Sequence, residues 1–451
     1  MSATATTVLT VKPELEPEHA EIVRATLPLV GANVDEITRV FYRTLFAHHP
    51  SLIRDLFNRG NQAQGAQQRA LAASIATFAT HLVDPDLPNP ADLLSRIGHK
   101  HASLGITEDQ YQVVHDTLFS AIVEVLGADV VTADVAAAWD RVYWLMAQTL
   151  VAFERGLYEE AGVPDGDVFR RARVVGRVDD RVVGRVDDRV VGRVDDRVVG
   201  RVDDTVVGRV ENTVVGRVDG ADVVVFVVES TDPGAPLPAF RPGQYVSVGV
   251  VLGDGARQLR QYSLVGAPAA GRLSFAVRRV DPVGDHPAGE VSTWLHRNVQ
   301  IGDEIDVTLP FGDLTIDTEA TTPLVLISAG IGDTPMIGIL DHLATHSPAR
   351  PTLVLHADRS PATHPLRTDM HSLVGSLENG SLDVWYETDA GDARAGRMDL
   401  SQVELPEEAD VYLCGGNGFL HAVREQLRAA GVPAEKVHFE LFSPNDWLLD
   451  A

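Results

Sequence analysis

The chain has 451 residues, 45% hydrophobic and 23% charged, with a net charge of −26 and a single cysteine, Cys414. The length suggests about three domains, the acidity argues against nucleic acid or an anionic membrane as partner, and one cysteine excludes an intrachain disulfide, which fits a reducing compartment. The N-terminal MSATATTVLTVKPELEP lacks the basic-then-apolar order of a secretory signal, and no apolar run approaches the roughly 18 residues of a membrane span, so a cytoplasmic protein is expected.

From about residue 14 to 160 the apolar positions recur at three and four. Ile37, Val40, Phe41 and Leu45 form one such set, and Leu145, Ala147, Leu150 and Val151 another. This is the helical period, broken by turn chemistry at His49-Pro50 and at Asp84-Pro85-Asp86-Leu87-Pro88, and it predicts an all-α unit. From 169 to 317 short β-rich runs alternate with Gly and Pro, which predicts an antiparallel barrel or sandwich. From 322 to 451 apolar strands alternate with helical stretches, a βαβ pattern that predicts an α/β unit with a parallel sheet.

Between about 174 and 221 the octet V-V-G-R-V-D-D-R recurs, with copies starting at Val174, Val182, Val190, Val198, Val206 and Val214. An even period keeps each residue type on one face of an extended chain. Asp-Asp, Glu211-Asn212 and Asp219-Gly220 fall where two-residue hairpin turns would lie, giving a β-meander. A flexible polar insert fits the composition equally well, because each copy carries only three valines.

Several segments carry chemistry. Phe57, Gln67 and His101 have the residue types and order of a haem pocket, and neutral imidazole is a good axial ligand; His99 is the nearby decoy. The stretches VFYRTLFAHHPSLIRDLF, NQAQGAQQRAL and IGHKHASLGITEDQY resemble the globin domain of the bacterial flavohaemoglobins (flavohaemoproteins). The resemblance implies an all-α globin that binds haem b. It implies Tyr42 and Gln67 on the distal side with Leu71 nearby, Phe57 stacked on the porphyrin and His101 as proximal iron ligand. Tyr111 and Glu154 then match the proximal tyrosine and glutamate; a carboxylate accepting the other N–H of a ligand histidine raises its basicity.

Arg260-Gln261-Tyr262-Ser263 resembles the R-x-Y-S/T signature of ferredoxin–NADP reductase-like flavin domains. The resemblance implies FAD, with Arg260 on the pyrophosphate, Gln261, Tyr262 and Ser263 along the flavin, and Tyr245 towards the adenosine. Gly289, Val291 and Ser292, in a G-x-x-S-x-x-L segment, would receive the pyrophosphate at a helix start. The insert Asp281–Ala288 just before Gly289 is longer than in the enterobacterial members and is expected to alter the phosphate loop.

Leu324–Ser328 runs into Gly330-Ile331-Gly332-Asp333-Thr334-Pro335. This strand–turn–helix order suits a dinucleotide pyrophosphate and implies NAD(P)H. The family usually has glutamine where this chain has Asp333; an extra negative charge beside a phosphate site is unfavourable, so Asp333 is expected to point away or to weaken cofactor affinity. Cys414 and Gly415, in C-G-G-N-G-F, match the loop near the nicotinamide. Phe442 matches the residue that covers the flavin, and Glu440 with Lys100 would tune the flavin–haem gap. Arg359 is too thin a sign to choose between NADH and NADPH.

Taken together, the resemblance implies a monomeric nitric oxide dioxygenase of O2 and NO, fed by electrons from NAD(P)H through FAD to haem. A haem/flavin reductase of peroxides or other acceptors and an O2-binding sensor are the alternatives. The sensor has no use for a complete reductase module.

Overall fold

The computed structural model describes residues 12–63, 65–179, 208–210, 213–215, 222–266, 271–284 and 287–442. It divides into two compact units: residues 1–169 with 251–260 and 443–451, and residues 170–250 with 261–442.

The first unit is helical. Helix α1 (Pro17–His48) starts on Pro17 and buries Val23, Val30, Ile37, Val40, Phe41 and Leu45 along one stripe, the spacing that a 3.6-residue repeat presents to a core. Short α2 (Pro50–Asp55) and α3 (Arg59–Ala63) follow the His49-Pro50 break, and α4 (Ala66–Val83) packs back on α1. The end of α4 is held by Arg24, which donates to the Val83 carbonyl at 2.8 and 3.1 Å, satisfying an acceptor that a helix C-terminus leaves open.

Helices α5 (Ser95–Leu104), α6 (Glu108–Leu126) and α7 (Ala133–Ala161) complete this unit. Gly105 ends α5 with φ +71°, a left-handed turn suited to glycine. A Thr107–Gln110 capping box then starts α6. Gly98 does something different. A Cβ there would lie 2.3 Å from the Phe153 ring, so only glycine lets α5 approach α7 this closely, and the approach brings the next turn of each helix together.

Two sheets are present, most of their strands in the second unit. One contains β1 (Phe169–Asp179), β4 (Val223–Ser230), β5 (Tyr245–Val251), β6 (Arg257–Ser263), β7 (Arg272–Arg278) and β8 (Glu304–Thr308), in the order β6-β5-β8-β1-β4-β7. The pairings β1–β4, β4–β7 and β5–β8 are antiparallel. The sheet closes on itself: Leu264, the residue after β6, bridges Phe275 on β7, and Val265 N–H donates to the Ser274 carbonyl. The expected antiparallel barrel is thus present, and closure leaves no free edge between its first and last strands. Helix α8 (Glu290–Asn298) packs against β7.

The first octet copy is part of this barrel. Its residues extend β1, with a bulge between Val174 and Gly176. Arg177 reaches the carbonyls of Val299 and His296 (2.9 Å for the latter), capping the end of α8. Near the end of the insert, β2 (Gly208–Val210) pairs antiparallel with β3 (Thr213–Val215), Val210 opposite Thr213. The strands are two residues apart in sequence, as the hairpin reading of Glu211-Asn212 requires. The remaining copies, and the Asp219-Gly220 turn, lie outside the described residues.

The other sheet is parallel: β9 (Leu324–Ala329), β10 (Thr352–Asp358), β11 (Gly380–Tyr386), β12 (Arg394–Ala395), β13 (Asp410–Gly415) and β14 (Val437–Leu441), ordered β12-β11-β10-β9-β13-β14. Helices α9 (Thr334–His346), α10 (Arg367–Gly375) and α11 (Asn417–Ala429) connect the strands. Strand order reverses between β9 and β13. Such switch points open a crevice at the carboxyl ends of the strands, where ligands bind. Among the described residues no helix is long and apolar enough to cross a membrane.

Candidate functional site

In the helical unit, α5, α6 and α7 bring His101, Tyr111 and Glu154 together. His101 Nδ1 lies 2.8 Å from Glu154 Oε1 and 3.0 Å from the Tyr111 hydroxyl, and Tyr111 donates to the same Oε1 at 2.6 Å. Glu154 is buried. Burial, then the neighbouring Glu154 charge, pushes the Tyr111 phenol far above its usual range, so its proton stays on oxygen. A carboxylate only accepts, so His101 carries its proton on Nδ1, which leaves the lone pair on Nε2. That is the tautomer an axial imidazole needs, and it fits haem at this place. His99, the decoy, is buried with its ring edge-on to Phe153 at 5.4 Å. No group of three His, Cys, Asp or Glu side chains among the described residues is arranged to hold a metal ion.

Tyr42, in the C-terminal half of α1, is buried and sits among rings: Phe41 at 4.7 Å, Phe46 at 5.5 Å and Phe57 at 5.9 Å between centroids. Burial raises the pKa of its hydroxyl, and the nearby side-chain amides of Gln67 and Gln62 oppose the rise. The phenol therefore stays protonated and able to donate. Gln62 was not among the expected residues. Its only sequence signal is its place in the NQAQGAQQ stretch. Leu71 is half-buried one turn after Gln67 on α4, and Lys100 precedes His101 on α5.

On the barrel, Tyr245 is buried, exchanging backbone hydrogen bonds with Phe311. Gln261 donates to Ser247 Oγ at 3.2 Å, Tyr262 stacks on Phe275 at 5.7 Å, and Ser263 is buried. Arg260 Nη1 donates to the Leu259 carbonyl at 2.7 Å. Gly289 caps α8 from an extended conformation, Val291 is buried beneath, and Ser292 Oγ accepts from Val280 N–H at 3.3 Å. The Asp281–Ala288 insert leaves and returns at one point, where Gly289 N–H donates to the Val280 carbonyl. The helix start is retained despite the longer loop.

At the switch point the glycine turn and the Cys414 loop meet. A Cβ on Gly332 would lie 2.4 Å from the Cys414 carbonyl oxygen, so the close approach of these segments requires glycine. Residues 330–333 form a 3-10 turn around Ile331, and Thr334 Oγ1 donates to the Ile331 carbonyl at 2.9 Å as Pro335 starts α9. Cys414 is the last residue but one of β13. Its thiol is driven well above the usual range, first by burial and then by Glu440, so it remains a neutral thiol. Glu440 is buried on β14 and Phe442 is half exposed.

Asp333 points into the protein. It is completely buried, and neither carboxyl oxygen has a hydrogen-bond partner among the described residues. Burial, then the charge of Asp358, raises its pKa well above the ordinary value; Asp369 adds to the rise and Arg278 opposes it. A neutral acid, rather than an extra negative charge, thus stands in the turn.

An oxidoreductase NAD-binding domain family matches residues 326–425. Flavohemoproteins of Chromobacterium violaceum and Deinococcus radiodurans are 36% and 35% identical, over 95% and 96% of this chain and 98% of each relative. The chain belongs to the flavohemoprotein family. A flavohemoglobin from Malassezia yamatoensis, solved with bound FAD and haem, superposes with a TM-score of 0.78 at 31% identity, covering 95% of this chain and all of that one. The expected order of globin, flavin barrel and nicotinamide domain follows from membership.

Proposed function

We propose that the protein is a nitric oxide dioxygenase that joins NO and O2 to nitrate at the expense of NAD(P)H. The observation that carries this reading is the His101–Glu154–Tyr111 constellation, its carboxylate and phenol buried, in a flavohemoprotein chain with a reductase half. Bound haem b, FAD and NAD(P)H supply the redox chemistry, with the flavin converting a two-electron donor into single electrons for iron.

The chain's own residues do the rest. His101 Nε2 would hold the haem iron, with Glu154 accepting from its Nδ1 and Tyr111 fixing the carboxylate. Tyr42 offers a protonated phenol and Gln67 an amide on the distal side, with Phe57 and Leu71 walling the haem. Arg260 and the α8 start at Gly289, Val291 and Ser292 take the FAD pyrophosphate. Tyr245, Gln261, Tyr262, Ser263 and Phe442 line the flavin. The turn Gly330–Pro335 takes the dinucleotide pyrophosphate, with Cys414 and Gly415 beside the nicotinamide and Lys100 and Glu440 tuning transfer to haem. We assign residues 14–160 to haem, 169–317 to FAD and 322–451 to NAD(P)H, in a monomeric cytoplasmic protein.

Anaerobic NADH titration should reduce flavin and then haem, and NO should be consumed only with O2, yielding nitrate. Ferric haem persisting after full flavin reduction would refute the assignment. NADH oxidation by other acceptors without NO consumption would favour the general reductase.

A further inference from the structure

Gln258 lies on β6, two residues before Arg260, in the part of the chain that belongs to the helical unit. It is 1% exposed, and every polar atom of its amide is engaged. Nε2 donates towards the carbonyls of Arg54 at 3.0 Å, Phe57 at 3.3 Å and Ile53 at 3.4 Å. Oε1 accepts from the Arg59 backbone N–H and from Arg260 Nη1, both at 3.4 Å. One amide therefore joins the last carbonyls of α2 to the first N–H of α3, two helix ends that need such partners, and encloses Phe57 between them.

The same segment is pinned twice more. Arg257 N–H donates to Asp55 Oδ1 at 3.2 Å, and Arg59 pairs with Asp254 at 2.6 Å. Along a strand, residues two apart share a face, so Gln258 and Arg260 project together. The Phe57 backbone and the Arg260 guanidinium are each one hydrogen bond from the same amide.

We infer that Gln258 is a positioning residue for electron transfer: it sets Phe57 and Arg260 in one fixed relation through its side-chain amide. This rests on the dioxygenase reading, in which Phe57 faces haem and Arg260 holds FAD. The inference concerns transfer between the two groups, not binding of either.

The test is stopped-flow anaerobic reduction of the holoenzyme by NADH, following flavin and haem separately, together with Soret circular dichroism. Gln258→Met keeps the size and removes every hydrogen bond. Gln258→Glu keeps the acceptor and removes the donor. Flavin reduction should stay within about 2-fold of wild type in both, while haem reduction falls on the order of 10-fold or more, because small displacements of reacting groups carry large rate costs. The Soret dichroism should change in parallel.

Wild-type haem reduction in Gln258→Met would overturn the inference, as would equal loss of flavin and haem reduction, the mark of a merely structural residue. If neither variant folds, Asp254→Ala decides. It removes the surface pin to Arg59, together with the acceptor of the Ala256 N–H, and should slow haem reduction without slowing flavin reduction; no change in either would again overturn it. Failure of wild type to reduce its haem would instead count against the dioxygenase reading.

Discussion

Replacing Asp333 with Asn should change how stability depends on pH. The folded-state pKa of Asp333 is raised, so the native protein holds a proton that the unfolded chain releases above its ordinary value of 3.8. Stability from this group is complete below that value and is lost as pH rises towards the folded pKa. The slope is at most about 1.4 kcal/mol per pH unit. Asparagine binds no proton and has no such slope, but its buried amide costs roughly 1–3 kcal/mol if unpaired. The sign of the difference at one pH is therefore uninformative, and its trend is the test. Between pH 5.5 and 8.5 Asp333→Asn should gain on wild type, the gap in Tm widening by up to about 3–6 °C per pH unit for a unit of this size. Groups common to both proteins cancel, except those facing Asp333 directly: Asp358, Asp369, Arg278 and Cys414. A parallel scan in Asp358→Asn removes the largest of the charges. Thermal melts of the holoenzyme suffice. A gap that is constant across the range would mean that Asp333 is charged when folded, and the argument from burial would fail.

Glu154→Gln removes the carboxylate from His101, and partners of this kind are worth about 10–100-fold in ligand affinity or activity; resonance Raman should show a weaker iron–histidine stretch, and an unchanged stretch would refute the role. Tyr42→Phe should leave flavin reduction intact but speed O2 release about 10-fold, the worth of one hydrogen bond of about 1.4 kcal/mol; flash photolysis measures it. Gly98→Ala forces a methyl into the Phe153 ring and should cost about 1–3 kcal/mol, as overpacking does, with faster haem loss to apomyoglobin. A stable Gly98→Ala with normal haem retention would show that α5 and α7 separate without consequence.

Much of this was legible in the sequence, for reasons that differ by residue. His101, Tyr111 and Glu154 lie on three helices, and only the resemblance linked them before the structure gave the distances. The parallel sheet was readable because buried strands appear as apolar runs and the glycine turn follows one of them. Gly98 was not readable, since a glycine inside a helix looks like a weak helix former until the partner ring is known. Gln258 acts across about 200 residues of sequence separation, where no local pattern points. Asp333 was read as an anion because a residue letter carries an implied charge. Burial against Asp358 reverses that, and burial is a property of the fold. The role of Arg177 was hidden because the octet looked uniform, and nothing in a repeated letter marks the copy whose arginine reaches the end of α8.

That uniformity has a consequence for the barrel. The octets beginning at Val174, Val182 and Val190 are identical, and the pairing of β1 with β4 draws on the first alone. Sliding the chain by one whole octet would offer β4 the same valines, the same glycine at the bulge and the same arginine to the end of α8. The repeat cannot itself choose its register; the choice falls to the unique residues Phe169–Arg173 before it and Val223–Ser230 after it. One identical copy more or fewer would therefore leave the valines, the glycine and the arginine offered to β4 unchanged.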